Sequence, residues 1–188
     1  MKDLLKDNWI IDRSDRVLIT GVSGFVGSRV VEILLEYGFT KLRCLVRSSK
    51  NLARLQRIAD SAKVEVDFYK GDLLSAEDCI NAAKDVSVIY HLAVGATGKS
   101  FPSAFMNVVI PTRNLLDASL RSNCLKRFVN TSSFAVYSNQ NKPRPGLLDE
   151  SCPIDKHPEL RGDAYGFAKL KQDEIVMGYG KKYGMPYD

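Results

Sequence analysis

Val17-Leu18-Ile19-Thr20-Gly21-Val22-Ser23-Gly24-Phe25-Val26-Gly27-Ser28 is the stretch on which the fold turns. It opens with a short run of β-branched residues and leucine, the mark of a buried parallel strand. Three glycines follow at G-x-x-G-x-x-G spacing. Then Arg29-Val30-Val31-Glu32-Ile33-Leu34-Leu35-Glu36 carries apolar residues at helical spacing. A strand, a glycine turn and a helix start in that order build an anion site. Gly21 permits the tight turn, Gly24 lets the backbone approach a pyrophosphate, and Gly27 lets the helix pack on the strand. The unpaired N–H groups of the helix's first turn then face the phosphates. The same glycines suit a ligand-free βα turn as well; the strand–turn–helix context favours the ligand.

Outward from this unit, strands and helices alternate. Strands are predicted over Lys41–Arg47, Val64–Tyr69, Val86–Tyr90 and Lys126–Thr131. Helices are predicted over Asn51–Ala62, from the Ser75 cap to about Lys84, over Ala104–Ser122, and from Asp163 or Ala164 to about Tyr183. Gly38 reads as a helix C-cap, and Pro111 is tolerated only near a helix start or at a kink. The pattern predicts an α/β fold, a Rossmann-like doubly wound parallel sheet flanked by helices. Residues 1–15 read as an extension that packs through Trp9, and residues 16–188 as one NAD(P)-binding domain. Gly184-Met185-Pro186 reads as the lead-in to a sixth strand. The expectation is a domain incomplete at its C-terminus, lacking that strand.

Composition narrows the function. The net charge is +5, but the basic residues are spread among 22 acids with no block interleaved with aromatics, which argues against nucleic-acid binding. Cys44, Cys79, Cys124 and Cys152 are far apart, with no C-x-x-C and no metal spacing, as suits free thiols in a reducing cytosol. The first residues carry acids and no apolar core of a signal peptide, and no apolar run approaches the ~18 residues of a membrane span. A cytoplasmic protein is expected, with a small-molecule substrate and no metal.

The carboxyl ends of the strands hold the candidate ligand groups. An acid after the second strand would bond a free ribose 2′-hydroxyl, whereas arginine suits a 2′-phosphate. No acid occurs between Glu36 and Asp60, and Arg43, Arg47, Lys50 and Arg54 do. NADP is therefore favoured over NAD, with Arg47 the principal candidate; a solvated basic face is the plainer explanation of the others. Asp72, in Gly71-Asp72-Leu73, sits where a short acid can accept from an adenine amino group, or where it simply forms a turn. Leu92 and Ala93 are small or apolar enough to admit a ribose. His91 reads as a packed, hydrogen-bonded histidine. Residues 138–162 form a long polar loop of the kind that is usually functional.

Tyr165 and Lys169 stand four apart and share a helical face. An ammonium beside a phenol favours the phenolate and makes an acid/base usable near neutrality. Ser133 can hold a substrate oxygen beside the same phenol. Tyr37 and Lys41 repeat the spacing, but Gly38 breaks the helix between them and they fall at the wrong sheet edge.

Four motifs now stand in order: Thr20–Gly27; Gly71-Asp72-Leu73; His91-Leu92-Ala93; and Thr131–Tyr137 followed by Tyr165-Gly166-Phe167-Ala168-Lys169. On these the chain resembles the extended short-chain dehydrogenase/reductases of the NAD-dependent epimerase/dehydratase type. The resemblance implies that Ser133, Tyr165 and Lys169 are catalytic, Tyr165 passing the proton and Lys169 tuning it while binding the nicotinamide ribose. It implies that Gly21, Gly24, Phe25 and Val26 surround the pyrophosphate, Asp72 and Leu73 the adenine, and Leu92 and Ala93 the ribose. It also implies a homodimer through the helices after strands four and five, and a substrate region after the sixth strand that is missing here. Val108-Val109-Ile110-Pro111-Thr112 lacks the asparagine usual in sugar-active members, which favours the reductase branch over epimerisation. A non-catalytic dinucleotide-binding module, or an inactive fragment, is the rival class.

Overall fold

The computed structural model describes residues 10–48, 52–96, 100–138 and 148–188, so the expected packing of Trp9 lies outside the described residues. The strands β1 (Val17–Thr20), β2 (Leu42–Val46), β3 (Asp67–Lys70), β4 (Val88–His91) and β5 (Arg127–Asn130) form one sheet in the order β3-β2-β1-β4-β5. Every pairing is parallel. The helices α1 (Phe25–Glu36), α2 (Ala53–Ala62), α3 (Ala76–Ala83), α4 (Phe101–Ser119) and α5 (Ala164–Tyr183) cover its faces.

Alternation along β1 explains how one strand feeds two cores. Val17 and Ile19 pack in a cluster with Val31, Leu34 and Leu35 of α1 and Leu55 and Ala59 of α2. Leu18 packs with Cys79 and Ala82 of α3, Leu115 and Leu116 of α4 and Val176 of α5. Every β1 residue is therefore buried, which is why the strand reads as an unbroken apolar run. Each buried leucine or isoleucine contributes about 1.5–3 kcal/mol.

Two element starts and the place of one proline differ from the sequence reading, each for a local reason. The third strand begins at Asp67 rather than Val64. Lys63, in the left-handed region, ends α2, and the Val64 N–H still donates to Ala59 O. The chain first pairs with β2 where Asp67 stands opposite Arg43, bound to it at 2.7 Å. α4 begins three residues early because Ser100 Oγ accepts from the Ser103 N–H and Pro102 fits the first turn. Pro111 lies in the middle of α4, where a helical proline leaves the carbonyl four residues earlier without its donor. That carbonyl, Asn107 O, instead accepts from the Gly95 N–H at 3.2 Å, across from the loop after β4.

The chain's last residues add to the sheet edge. The Phe128 N–H donates to Pro186 O at 2.9 Å, and Tyr187 pairs in parallel with Phe128. The Asp188 N–H donates to Phe128 O at 3.0 Å, so the opening of a sixth strand lies beside β5.

Candidate functional site

Helices α1 and α2 cover one face of the sheet, while α3, α4 and α5 cover the other. The winding therefore reverses between β1 and β4, and a crevice opens at the carboxyl ends of the strands there. The crevice is a cleft of about 470 Å³. Gly21 and Gly24 line it after β1, Arg47 and Ser48 after β2, Asp72 and Leu73 after β3, Leu92 and Ala93 after β4, and Asn107 and Pro111 from α4.

The β1–α1 turn is shaped by what it lacks. Gly21 has φ +71°, and a Cβ there would stand 2.7 Å from the backbone of Leu92 and Ala93. A Cβ on Gly27 would lie 2.3 Å from Gly21 O. Gly24 caps α1 without any side-chain bond, so no capping side chain satisfies the first N–H groups of the helix. Phe25 and Val26, in that first turn, are 84% and 54% exposed and do not line the cleft.

The basic residues separate once placed. Arg43 Nε binds Asp67 at 2.7 Å, and its Nη1 donates to the carbonyls of Asn81, Ala82 and Lys84, closing the C-terminal end of α3. Arg43 is thus structural, which removes it from the candidate 2′-phosphate ligands. Arg54 lies in the groove between α1 and α2, and Lys50 is outside the described residues. Arg47 is exposed at the cleft. Asp72 lines the cleft and also shapes its own turn, since its Oδ1 accepts from the Leu74 N–H at 2.9 Å.

Ser133, Tyr165 and Lys169 gather beyond the end of β5, in the next sector of the same rim and outside the lining of the cleft. Ser133 caps a single 3₁₀ turn, Phe134–Val136, its Oγ accepting from the Ala135 N–H at 3.2 Å. Asp163 caps α5 by accepting from the Gly166 N–H at 2.8 Å. A Cβ on Gly166 would lie 3.0 Å from Ala135 O, so the glycine lets the start of α5 close onto the Ser133 turn. Tyr165 is half-buried there. Lys169 is buried, and its Nζ donates to Thr131 O and to Gln172 Oε1. Burial pulls its pKa down to about 8, against the opposing charge of Asp173. Asp173 accepts from Ser132 Oγ and from Asn130 Nδ2, while burial raises its carboxyl above the ordinary range.

His91 is a packed, hydrogen-bonded residue, as read from the sequence. Its Nδ1 lies 3.0 Å from Thr20 Oγ1 and its Nε2 2.9 Å from Thr112 Oγ1. Burial, with the Lys169 charge adding to it, holds its pKa down to about 3. Tyr37 caps the C-terminus of α1 and Lys41 precedes β2, so that repeat of the Y-x-x-x-K spacing spans a helix end. The cysteines are unpaired, and burial pushes the Cys44 and Cys79 thiols up to about 12. Among the described residues no metal-ligand cluster occurs and no helix is long and apolar enough to cross a membrane.

Sequence reasoning missed Ser48, Asn107 and Gln172. Pro111 did carry a signal: a proline inside a predicted helix marks a carbonyl that must find a partner elsewhere.

A family model described as the NAD dependent epimerase/dehydratase family matches residues 17–187. Cinnamoyl-CoA reductase 1 of Petunia hybrida is 33% identical over 175 residues, which cover 90% of this chain and 51% of that one. The structure of vestitone reductase from alfalfa (Medicago sativa) superposes with a TM-score of 0.72 at 25% identity, over 92% of this chain and 54% of that one. A double mutant of DesIV, a dTDP-glucose 4,6-dehydratase from Streptomyces venezuelae solved with NAD, gives a TM-score of 0.74. At 24% identity, over 92% of this chain and 53% of that one, the likeness to DesIV is one of fold. The chain spans about half the length of the relatives it matches.

Proposed function

This chain belongs to the NAD dependent epimerase/dehydratase family, and we propose that it binds a nicotinamide dinucleotide, NADP in preference to NAD, for hydride exchange with a small carbonyl or hydroxyl substrate. One observation carries the reading. The cleft at the winding reversal presents bare backbone at Gly21 and Gly24, the exposed Arg47 just past the end of β2, and Asp72 after β3. These fit a dinucleotide chemically: amides for a pyrophosphate, a guanidinium for a 2′-phosphate and a carboxylate for an amino group.

The residues would divide the work as follows. Gly21 and Gly24, with the backbone N–H groups of Phe25 and Val26, would hold the pyrophosphate. Asp72 and Leu73 would hold the adenine, and Leu92 and Ala93 the ribose. A bound nicotinamide would supply the hydride acceptor or donor. Tyr165 would move the proton at the substrate oxygen, Ser133 would orient that oxygen, and Lys169 would hold positive charge beside the phenol and reach the ribose. The likeness to cinnamoyl-CoA reductase and vestitone reductase, together with Val108 in α4, favours reduction over epimerisation. Met106 on α4 and Met177 on α5, both about half exposed, favour a homodimer through these helices.

The test is a fluorescence titration with NADPH and NADH. NADPH should bind about tenfold more tightly, and Arg47→Asp should remove the difference. Arg43→Ala should lower stability and leave the preference alone. An unchanged preference in Arg47→Asp overturns the cofactor assignment. Tyr165→Phe should bind NADPH normally, and any hydride transfer measured for the parent chain should disappear.

A further inference from the structure

Five polar side chains sit in the middle of the fold where leucine and phenylalanine would otherwise be expected. Thr20 and Thr112 are 0% exposed, and His91, Lys169 and Gln172 are 1% exposed. They come from β1, β4, α4 and α5, yet each touches the next. Lys169 Nζ donates to Gln172 Oε1. Gln172 Nε2 donates to Thr112 Oγ1 at 2.8 Å, Thr112 Oγ1 lies 2.9 Å from His91 Nε2, and His91 Nδ1 lies 3.0 Å from Thr20 Oγ1. Thr20 Oγ1 accepts the Leu92 N–H at 3.2 Å and the Ala93 N–H at 3.1 Å.

The direction of every bond follows from the charge at one end. An ammonium cannot accept, so the Gln172 carbonyl must face Lys169 and its amide must donate to Thr112. Thr112 has one proton, and it goes to Val108 O at 2.7 Å. Thr112 can therefore only accept from His91, which fixes the His91 proton on Nε2. The Nδ1 lone pair then accepts from the Thr20 hydroxyl, whose oxygen is left to accept the two backbone amides. Every side-chain nitrogen and oxygen along this path has at least one partner, and buried networks satisfied in this way are stiff.

We infer that Gln172, Thr112, His91 and Thr20 form a positioning chain that locks the Lys169 ammonium to the Leu92–Ala93 wall of the cleft. The inference rests on the proposed function in one respect: Lys169 and that wall serve the same bound dinucleotide. The chain sets where the ammonium stands relative to the ribose wall, and Gln172 and Thr112 do this without lining the cleft between Gly21 and Leu73. The burial that keeps His91 neutral preserves the bond directions. The titratable groups that bear on Lys169 are Asp173 and, one turn earlier, Tyr165 on its own helix, and His91 on β4.

The chain contains two histidines, and His157 is exposed, so ¹⁵N-histidine labelling isolates the buried one. His91 should carry its proton on Nε2 from about pH 5 to about pH 7, where Lys169 keeps its charge, with no titration step. Lys169→Met and Gln172→Leu should each shift its ring nitrogen resonances, although neither residue touches the ring. Thr112→Val should weaken NADPH binding about fivefold, the loss of one satisfied network bond, and Thr112→Ser should restore it. A proton on Nδ1, His91 signals indifferent to Lys169→Met, or a folded Thr112→Val that binds NADPH as the parent does would each overturn the positioning chain. If Thr112→Val fails to fold, the His91 tautomer and the Lys169→Met shift still decide. If the parent chain binds no NADPH, the dinucleotide reading falls, and the same resonances report separately on whether the chain exists.

Discussion

Around Gly21 the rim of the sheet is made of backbone: two turns pass within contact distance, and no side chain caps α1. At the end of β5 the rim is made of side chains, where Ser132, Asn130 and Asp173 bond one another and Lys169 reaches both Thr131 O and Gln172. The first sector has nothing to lose by truncation and no room to grow. In the second, Asp173 accepts from both Asn130 and Ser132, so its side chains depend on one another, and Asn130 Oδ1 is left without a partner. Placing an anion requires amides at fixed spacing, which backbone supplies without side-chain entropy. Holding a buried ammonium requires acceptors, which backbone alone does not supply in sufficient number.

The largest expected effect belongs to the backbone sector. Gly21→Ala adds a Cβ 2.7 Å from Leu92 and Ala93 at a φ of +71°, so strain and overlap combine. A loss of about 4 kcal/mol is expected, a fall in Tm of about 10 °C, with NADPH binding abolished. Gly178→Ala is the matching control, because nothing lies within 4 Å of a Cβ there. In the interior of α5 it should stabilise by about 0.5 kcal/mol or more. Thermal melts of the two variants check the contrast. A Gly21→Ala chain that melts with the parent would show that the turn tolerates side chains after all.

The side-chain sector should fail with acid instead. His91 has a folded pKa of about 3, well below its ordinary value near 6.5. Between those values the unfolded chain binds the extra proton, so stability falls as pH drops through 6.5 toward 3. The loss approaches something on the order of 4 kcal/mol at the acid end. Asp173 acts in the opposite sense, since its raised carboxyl gains a proton more readily in the folded state. Urea unfolding of the parent and of His91→Gln across this range separates the two. The variant, less stable at neutrality, should show a flatter profile, and equal slopes would remove His91 from the account.

The two sectors also differ in how far the sequence exposes them. The glycine turn is legible because its constraint is local: strand, turn and helix are contiguous from Val17 to Glu36, and the spacing carries the geometry. Arg47 and Arg43 illustrate the limit, because composition placed both at the second strand. Only the pairing of β2 with β3, opposite Asp67, shows that Arg43 is occupied. The network behind Lys169 is less legible still. Its links join residues 71, 21 and 60 positions apart, so no window of sequence contains two consecutive contacts. His91 could be read as packed, but its partners could not be named.

Pro111 joins the sectors and gives the smallest and most discriminating effect. Its missing N–H leaves Asn107 O to the Gly95 N–H, while its ring lines the cleft. Asn107 is held in turn, its Nδ2 donating to Ser103 O at 2.8 Å. Pro111→Ala supplies a new N–H in competition with Gly95 for one carbonyl, so the helix gains what the loop after β4 loses. Stability should therefore change by less than about 1 kcal/mol, well short of the ~3 kcal/mol by which alanine outranks proline in an unconstrained helix. NADPH affinity should fall about threefold, as the Leu92–Gly95 wall loses one anchor. Affinity at the parent level with a gain near the full helix-propensity difference would make the proline only a burden on α4. A small change in stability beside a measurable loss of binding would show that a break in one helix fixes the wall of the cleft.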